Sequence, residues 1–152
     1  MSKISNLLGD RLSEPTAAQG NLQVDKLLQA IVAIPEKTTI ELTITLNVGG
    51  LIISGQLISR DDYFEDLTRL FSNASSESNV PFMLSDFFRD LGRQLVDGAH
   101  DDGAEGIPLP RFIHLRNAKM YPDQGQGLPH THQVLWRGRL SQVDGFMLGD
   151  MP

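Results

Sequence analysis

The chain has 152 residues, of which 40% are hydrophobic, and its formal net charge is −6. This size predicts one domain with enough apolar material for a core, and no apolar run approaches the roughly 20 residues that span a bilayer. The chain has no cysteine, which excludes disulfides, thiolate metal sites and a cysteine nucleophile. Together with an N-terminus that lacks the apolar region of a secretory signal, this favours a cytoplasmic protein.

Charge is unevenly distributed along the sequence. Residues 61–105 carry eleven acidic residues against three arginines, whereas residues 111–152 carry five basic residues against three acidic ones. The acidic middle argues against a chain that wraps nucleic acid along its whole length. Two interpretations of the basic end stay open: a charge match with the acidic segment inside the fold, and a local contact with an anionic partner.

The N-terminal part predicts an arm followed by a helix. Residues 1–20 are polar without sustained periodicity, which indicates a loose arm before a single α+β domain over residues 21–152. Asn21 is a favourable N-cap, and apolar residues then recur at helical spacing until Pro35, which predicts a helix of about three turns that packs on a sheet. Its apolar face consists of Leu22, Leu27, Leu28, Ile31 and Val32.

The next segment has the pattern of a β-hairpin. Apolar and polar residues alternate over residues 40–46, as in a strand with one buried face. A Val-Gly-Gly turn at 48–50 follows, and residues 51–59 form the return strand, in which Gly55 indicates a bulge or sharp bend. The inward positions of the first strand are Ile40, Leu42, Ile44 and Leu46.

A helical insertion is predicted at about residues 60–110. Ser59 and Asp61 can cap its first helix, and a polar run at 72–79 separates it from a second helix that begins at Ser85. Two apolar stripes joined in this way normally pack on each other, but a stripe that stays partly exposed becomes a docking surface. The stripes are Tyr63, Phe64, Leu67, Leu70 and Phe71 in the first helix, and Phe87, Phe88, Leu91 and Leu95 in the second.

The C-terminal part returns to strand patterns. Residues 112–121 and 134–140 alternate, and Asp144-Gly145 predicts a two-residue hairpin turn before a closing strand. Trp136 is the only tryptophan and occupies an inward position in the alternation. We therefore expect it in the core rather than as a platform on which a base stacks.

These segments resemble the gas vesicle accessory protein U family. The matching stretches are LNVGGLIISGQLIS with the following DDYFEDL, then FIHLRNAKMY, then WRGRLSQVDGFMLG, in this order and with a variable acidic middle. The resemblance implies an accessory role in vesicle assembly or clustering, with shell proteins or other accessory proteins as partners. The chain departs from the family pattern in its longer N-terminal region and in ending at Pro152 without a polar tail.

At fold level the layout is similar to an Sm-like or SH3-like barrel. We therefore expect an α+β fold: a small, strongly bent antiparallel sheet or barrel with an N-terminal helix and a two-helix insertion between strands 2 and 3. The Sm-like resemblance raises RNA binding by Arg137 and Arg139 as an alternative function, whereas a structural interpretation pairs these arginines with acids of the insertion. Edge strands also predict a dimer or larger homo-oligomer.

The sequence does not indicate a metal site or a catalytic site. His130 and His132 could face one metal ion, but two ligands fall short of a closed site, so solvated loop histidines are favoured. The acids around His100 lack the spacing of a calcium loop, and the sequence has no phosphate loop, nucleophile elbow or paired-carboxylate motif. We therefore predict a non-enzymatic interaction protein without metal or organic cofactor. The candidate contact residues are Tyr63, Phe64, Leu67, Phe71, Phe87, Phe88, Arg137 and Arg139.

Overall fold

The computed structural model describes residues 23–73, 80–97, 109–122, 126–129 and 134–151. Within them the chain is α+β, and elements are numbered in chain order. The helices are α1 (Lys26–Val32), α2 (Ile34–Lys37), α3 (Arg60–Ser72) and α4 (Val80–Asp97). The strands are β1 (Leu42–Val48), β2 (Leu51–Ile58), β3 (Phe112–Tyr121), β4 (Trp136–Arg139) and β5 (Gly145–Leu148). The predicted arm, its neighbour Asn21, and the histidines at 100, 130 and 132 lie outside the described residues.

The five strands form one antiparallel sheet in the order β4-β3-β2-β1-β5. Since β4 and β5 are its two edges, the sheet is open in the described part of the chain. The expected antiparallel sheet is confirmed, but the alternative of a barrel and the Sm-like or SH3-like assignment are not. β1 and β2 form the predicted hairpin around Gly49 and Gly50, both of which have positive φ. The β2–β3 register shifts between Ser54 and Gln56, which confirms the irregularity predicted at Gly55.

The hairpin predicted at Asp144-Gly145 is wrong. β4 pairs with β3 and β5 pairs with β1, so these two consecutive strands lie at opposite edges of the sheet. A 3₁₀ turn that begins at Leu140 connects them, because the Leu140 side chain is buried in the core and anchors the connection there. Asp144 instead contacts the first hairpin: its N–H donates to the Asn47 carbonyl (2.9 Å) and its carboxylate accepts from the Gly49 N–H (2.6 Å).

The core lies between α1 and one face of the sheet. Asp25 caps α1 by accepting hydrogen bonds from the N–H groups of Leu27 and Leu28. Leu27 was predicted on the buried face but is 63% exposed. Pro35 does not end the helical segment, since it stands in the first turn of α2 after a break at Ala33. The buried apolar residues are Leu28, Ile31, Val32, Ile44, Leu46, Ile53, Leu57, Ile113, Leu115, Ala118 and Leu140, and Trp136 packs half-buried against them.

The second face of the sheet is polar and is partly covered by residues 149–151. Thr45 and Ser54 project onto this face, and both are buried. The Thr45 hydroxyl donates to the Gly149 carbonyl (2.8 Å), the Ser54 hydroxyl accepts from the Met151 N–H (3.2 Å), and the two hydroxyls lie 3.0 Å apart. Burial of these hydroxyls is tolerated because each has a hydrogen-bond partner.

Candidate interaction surface

α3 is capped at its start and fixed to the sheet along its length. The Ser59 hydroxyl accepts from the Asp62 N–H at 3.0 Å, which confirms the predicted cap. Asp66 accepts a hydrogen bond from Nε of Arg116 in β3 at 2.5 Å, and this bond raises the pKa of the Arg116 guanidinium. The Tyr63 ring packs on the imidazole of His114 with centroids 4.8 Å apart. These contacts hold α3 against β3.

α4 packs on α3 through two small residues. Ser85 and Gly92 are the buried positions among the α4 side chains that the structure describes. They are two helical turns apart and therefore lie on the same side of the helix. The hydroxyls of Ser85 and Ser72 are 2.8 Å apart, and a Cβ at Gly92 would lie 3.0 Å from Phe64. The two helices thus form a closely packed antiparallel hairpin.

Several large apolar side chains of α4 face outward, whereas Phe88 lies at the margin of the contact with α3. Phe87 is 57% exposed and Met83 is 69% exposed. The rings of Phe88 and Phe71 stack with centroids 5.2 Å apart, and Phe87 meets Phe88 edge-on at 5.4 Å. Side chains from both helices therefore form a continuous apolar region. We call it the apolar surface, and its members are Phe71, Met83, Leu84, Phe87, Phe88 and Leu91.

A cleft of about 670 Å³ lies along another side of the same helical hairpin, and we call it the polar cleft because most of the residues that line it are polar or charged. All three arginines of the acidic segment 61–105 line it: Arg69, Arg89 and Arg93. Asp61 and Glu65 also face this cleft, and Glu65 forms an ion pair with Arg69. The basic groups of the insertion are thus collected in the cleft and not on the apolar surface.

The predicted contact residues of the insertion fall into two groups. Phe64 is buried against Gly92, and Tyr63 and Leu67 are half-buried, so these three help to pack α3 rather than to form an open surface. Phe71, Phe87 and Phe88 belong to the apolar surface. Sequence reasoning missed Met83 and Leu84 because it began the helix at Ser85, whereas α4 begins at Val80. The apolar side chains that precede Ser85 could have signalled this earlier start. The side chain of Leu95 lies outside the described residues.

The two arginines of β4 lie at an edge of the sheet, and neither forms an ion pair with an acid of the insertion among the described residues. The Arg137 guanidinium carbon is 3.7 Å from the centroid of the Phe112 ring, and Nε donates to Nε2 of His114 at 3.1 Å. Burial, reinforced by the charges of Arg137 and Arg60, lowers the pKa of His114 to about 3, so the imidazole is neutral and can accept this bond. Arg137 is thus engaged by β3, and these contacts lend no support to RNA binding. For Arg139, RNA binding stays a prediction.

A metal site is not assembled in the described ranges. Within them, no group of three or more histidine, aspartate or glutamate side chains is placed to hold a metal ion. No helix in the same ranges is long and apolar enough to cross a membrane. The histidine pair at 130 and 132 lies outside these ranges, so its solvated state stays a prediction.

These features define an α+β protein with an open antiparallel sheet and a helical hairpin that displays an apolar surface. The model of the family described as gas vesicle protein GvpU-like matches residues 25–151, and the chain belongs to this family. No curated protein and no solved structure matches the chain. The family match confirms the resemblance carried by the strand segments. It associates the chain with an accessory role in gas vesicle biology, in a family not known for enzymatic activity.

Proposed function

We propose that the protein is a non-enzymatic gas vesicle accessory protein of the cytoplasm that acts through protein–protein contacts in vesicle assembly or clustering. The apolar surface is the observation that carries this proposal. Small residues lie at the buried centre of the α3–α4 contact and Phe88 stacks on Phe71 beside them, while Met83 and Phe87 stay exposed to solvent. Contiguous exposed apolar side chains with a polar border are typical of protein interaction sites. Shell proteins and other vesicle accessory proteins are the proposed partners.

The sheet is the scaffold in this proposal. α3 is attached to β3 by the Asp66–Arg116 ion pair and by the Tyr63–His114 contact. α4 has α3 as its main packing partner, so the outer helix is presented at a distance from the core. The Sm-like or SH3-like assignment remains part of the proposal, supported by the bent β2 strand and the short strands at both sheet edges.

Flotation with purified gas vesicles tests the contact. Vesicles are mixed with the full-length protein, floated by low-speed centrifugation, and the bound protein is quantified. We expect the double substitution Met83→Ser/Phe87→Ser to lower binding by about fivefold or more, as for the loss of central apolar contacts. The matched control is Leu27→Ser, because Leu27 is 63% exposed on α1, outside the insertion. Equal binding of all three proteins would show that the apolar surface is not the contact.

Self-association is a second element of the proposal. Both edge strands, β4 and β5, have an unpaired side within the described residues, and such edges favour pairing with another copy. This supports the homo-oligomer predicted from the sequence, and several vesicle-binding surfaces in one particle would explain clustering through multivalency. Light scattering that gives a monomer mass at high protein concentration would contradict it.

A further inference from the structure

Acidic residues border the apolar surface. Asp86 and Asp90 follow Met83 by three and seven positions, so all three lie along one side of α4, next to Phe87. The Asp86 side chain is 70% exposed and pairs with Arg89 one turn further along the same helix. Asp90 is exposed and forms no ion pair with the residues that the structure describes. The border of the surface therefore presents carboxylates to a partner.

The insertion's basic groups lie on a different side. Arg89 and Arg93 line the polar cleft, and at 3.6 residues per turn Arg89 projects roughly opposite to Phe87 and Arg93 about 120° away from it. Arg69 lines the same cleft and is paired with Glu65. With the arginines in the cleft, Asp86 and Asp90 are the charged groups on the side of α4 that borders Met83 and Phe87, and the Asp90 carboxylate has no ion-pair partner among the described residues. A partner that brings its own carboxylates or phosphates would be repelled.

The shape of the surface favours a helix as the occupant. Met83 and Phe87 are one turn apart, as are Leu84 and Phe88, and Phe71 of α3 lies beside them. A row of large side chains along α4, with Phe71 of α3 beside it, gives an elongated apolar strip on which an amphipathic helix can place its apolar face. Basic residues that flank that face would meet Asp86 and Asp90.

We infer that the apolar surface binds a basic amphipathic helix of a partner protein. The inference rests on the proposed function and adds the chemistry of the partner: an apolar stripe seated on Met83, Phe87 and Phe88, bordered by lysine or arginine beside Asp86 and Asp90. Burial of the exposed phenylalanine and methionine side chains supplies the affinity, and the carboxylates select for the basic border. An anionic lipid surface is disfavoured by the same carboxylates.

Two fluorescently labelled amphipathic peptides of about 18 residues test the inference. One consists of leucine and lysine, and the other consists of leucine and glutamate. Both peptides carry leucine at the same positions, and fluorescence anisotropy measures their binding to the full-length protein. We expect the lysine peptide to bind about tenfold more tightly than the glutamate peptide, with an affinity that falls as salt is added. Equal affinity for the two peptides would overturn the inference, as would binding to phosphatidylglycerol vesicles without binding to either peptide.

Charge-matched variants test whether the lysine peptide binds to the carboxylates that border the apolar surface or is attracted to the acidic protein in general. We expect Asp86→Asn/Asp90→Asn to weaken binding of the lysine peptide about fivefold. The control, Asp61→Asn/Glu65→Gln, removes the same charge from the polar cleft and should change the affinity by less than about twofold. Equal losses in the two variants would contradict the inference. Circular dichroism verifies that each variant is folded.

The peptide experiment and the vesicle experiment test different claims, so a negative result in one does not decide the other. If vesicle flotation depends on Met83 and Phe87 but the lysine peptide has no preference for the protein, the contact role stands and the partner chemistry is wrong. If the lysine peptide binds as expected but the protein does not float with vesicles, the proposed role in vesicle contacts is wrong while the peptide site stands.

Discussion

Gly92 of α4 lies so close to Phe64 of α3 that a Cβ at position 92 would be 3.0 Å from both Cβ and Cγ of the phenylalanine. The missing side chain lets the helices approach at a distance that larger residues would prevent. With Gly92 and Ser85 facing α3, and Phe88 stacked on Phe71 at the margin of the contact, Met83 and Phe87 face away from α3. The contact between two helices thereby determines which side of the outer helix is available to a partner.

Gly92→Val should open this contact. The added methyl groups overlap Phe64, and overpacking of this kind lowers the free energy of unfolding by about 1–3 kcal/mol. The loss would occur although valine is a slightly better helix former than glycine. Urea unfolding followed by circular dichroism measures it. The control is Gln94→Val, at an exposed position of α4, where we expect a loss of about 0.5 kcal/mol or less. Equal losses would show that Gly92 is not required for close packing.

His114 predicts a pH dependence of stability. Burial, followed by the charges of Arg137 and Arg60, lowers the pKa of His114 from 6.5 to about 3. The unfolded chain binds a proton at this residue near pH 6.5, whereas the folded chain does not until a much lower pH. The free energy of unfolding therefore falls as the pH drops from 6.5 towards 3, by at most about 1.4 kcal/mol per pH unit for one proton.

His114→Gln tests this dependence, because the glutamine carbonyl can still accept from Arg137 but cannot bind a proton in this pH range. We expect the free energy of unfolding of the variant to fall less steeply than that of the parent protein between about pH 6.5 and pH 4.5. Urea titrations at several pH values give both curves. The other three histidines are common to the two proteins. Parallel curves would mean that His114 is protonated in the folded chain.

Two adjacent acids of α3 should differ in their effect on stability. Asp66 is 17% exposed and pairs with Arg116 of the sheet, whereas Glu65 is 58% exposed and pairs with Arg69 of its own helix. We expect Asp66→Asn to lower the free energy of unfolding by about 1–2 kcal/mol and Glu65→Gln by less than about 0.5 kcal/mol. Combining Asp66→Asn with Arg116→Met in a double-mutant cycle isolates the pair. A coupling near zero would show that it does not attach α3 to the sheet.

β2 and β3 were predicted well because their signals are local, whereas Ile40, predicted at an inward position of the first strand, lies before β1 and is 57% exposed. The alternation over 112–121 gave β3 with its observed bounds, and Gly55 marked the irregularity of β2 correctly. The β4–β5 connection was predicted wrongly because Asp144-Gly145 has the local chemistry of a tight turn. The observed path of the chain between β4 and β5 depends instead on two contacts with residues distant in sequence. These are the burial of Leu140 in the core and the hydrogen bonds of Asp144 with β1 and its turn. Neither contact leaves a local signal in the sequence.

The candidate surface was predicted only in part. Helical periodicity identified Phe71, Phe87 and Phe88, but it carries no information on which side of a helix meets its neighbour. The usual expectation is that the large apolar residues do so, whereas here Ser85 and Gly92 are the buried positions and, of the predicted large residues, Phe88 contacts Phe71 only beside them. A glycine inside an apolar helical pattern, at the same helical side as a serine two turns earlier, was the available signal of close packing.

Phe87→Ala should leave stability almost unchanged. The side chain is 57% exposed and its removal opens no cavity, so we expect a change in the free energy of unfolding of less than about 1 kcal/mol. The comparison is Ile44→Ala, because Ile44 is 0% exposed in the sheet core and its truncation should cost about 2–5 kcal/mol. Binding of an apolar fluorescent dye to the folded protein should fall in the Phe87 variant, since the dye reports exposed apolar area. If Phe87→Ala were as destabilising as Ile44→Ala, Phe87 would be part of the core, and the surface assigned to partner binding would not be available to one.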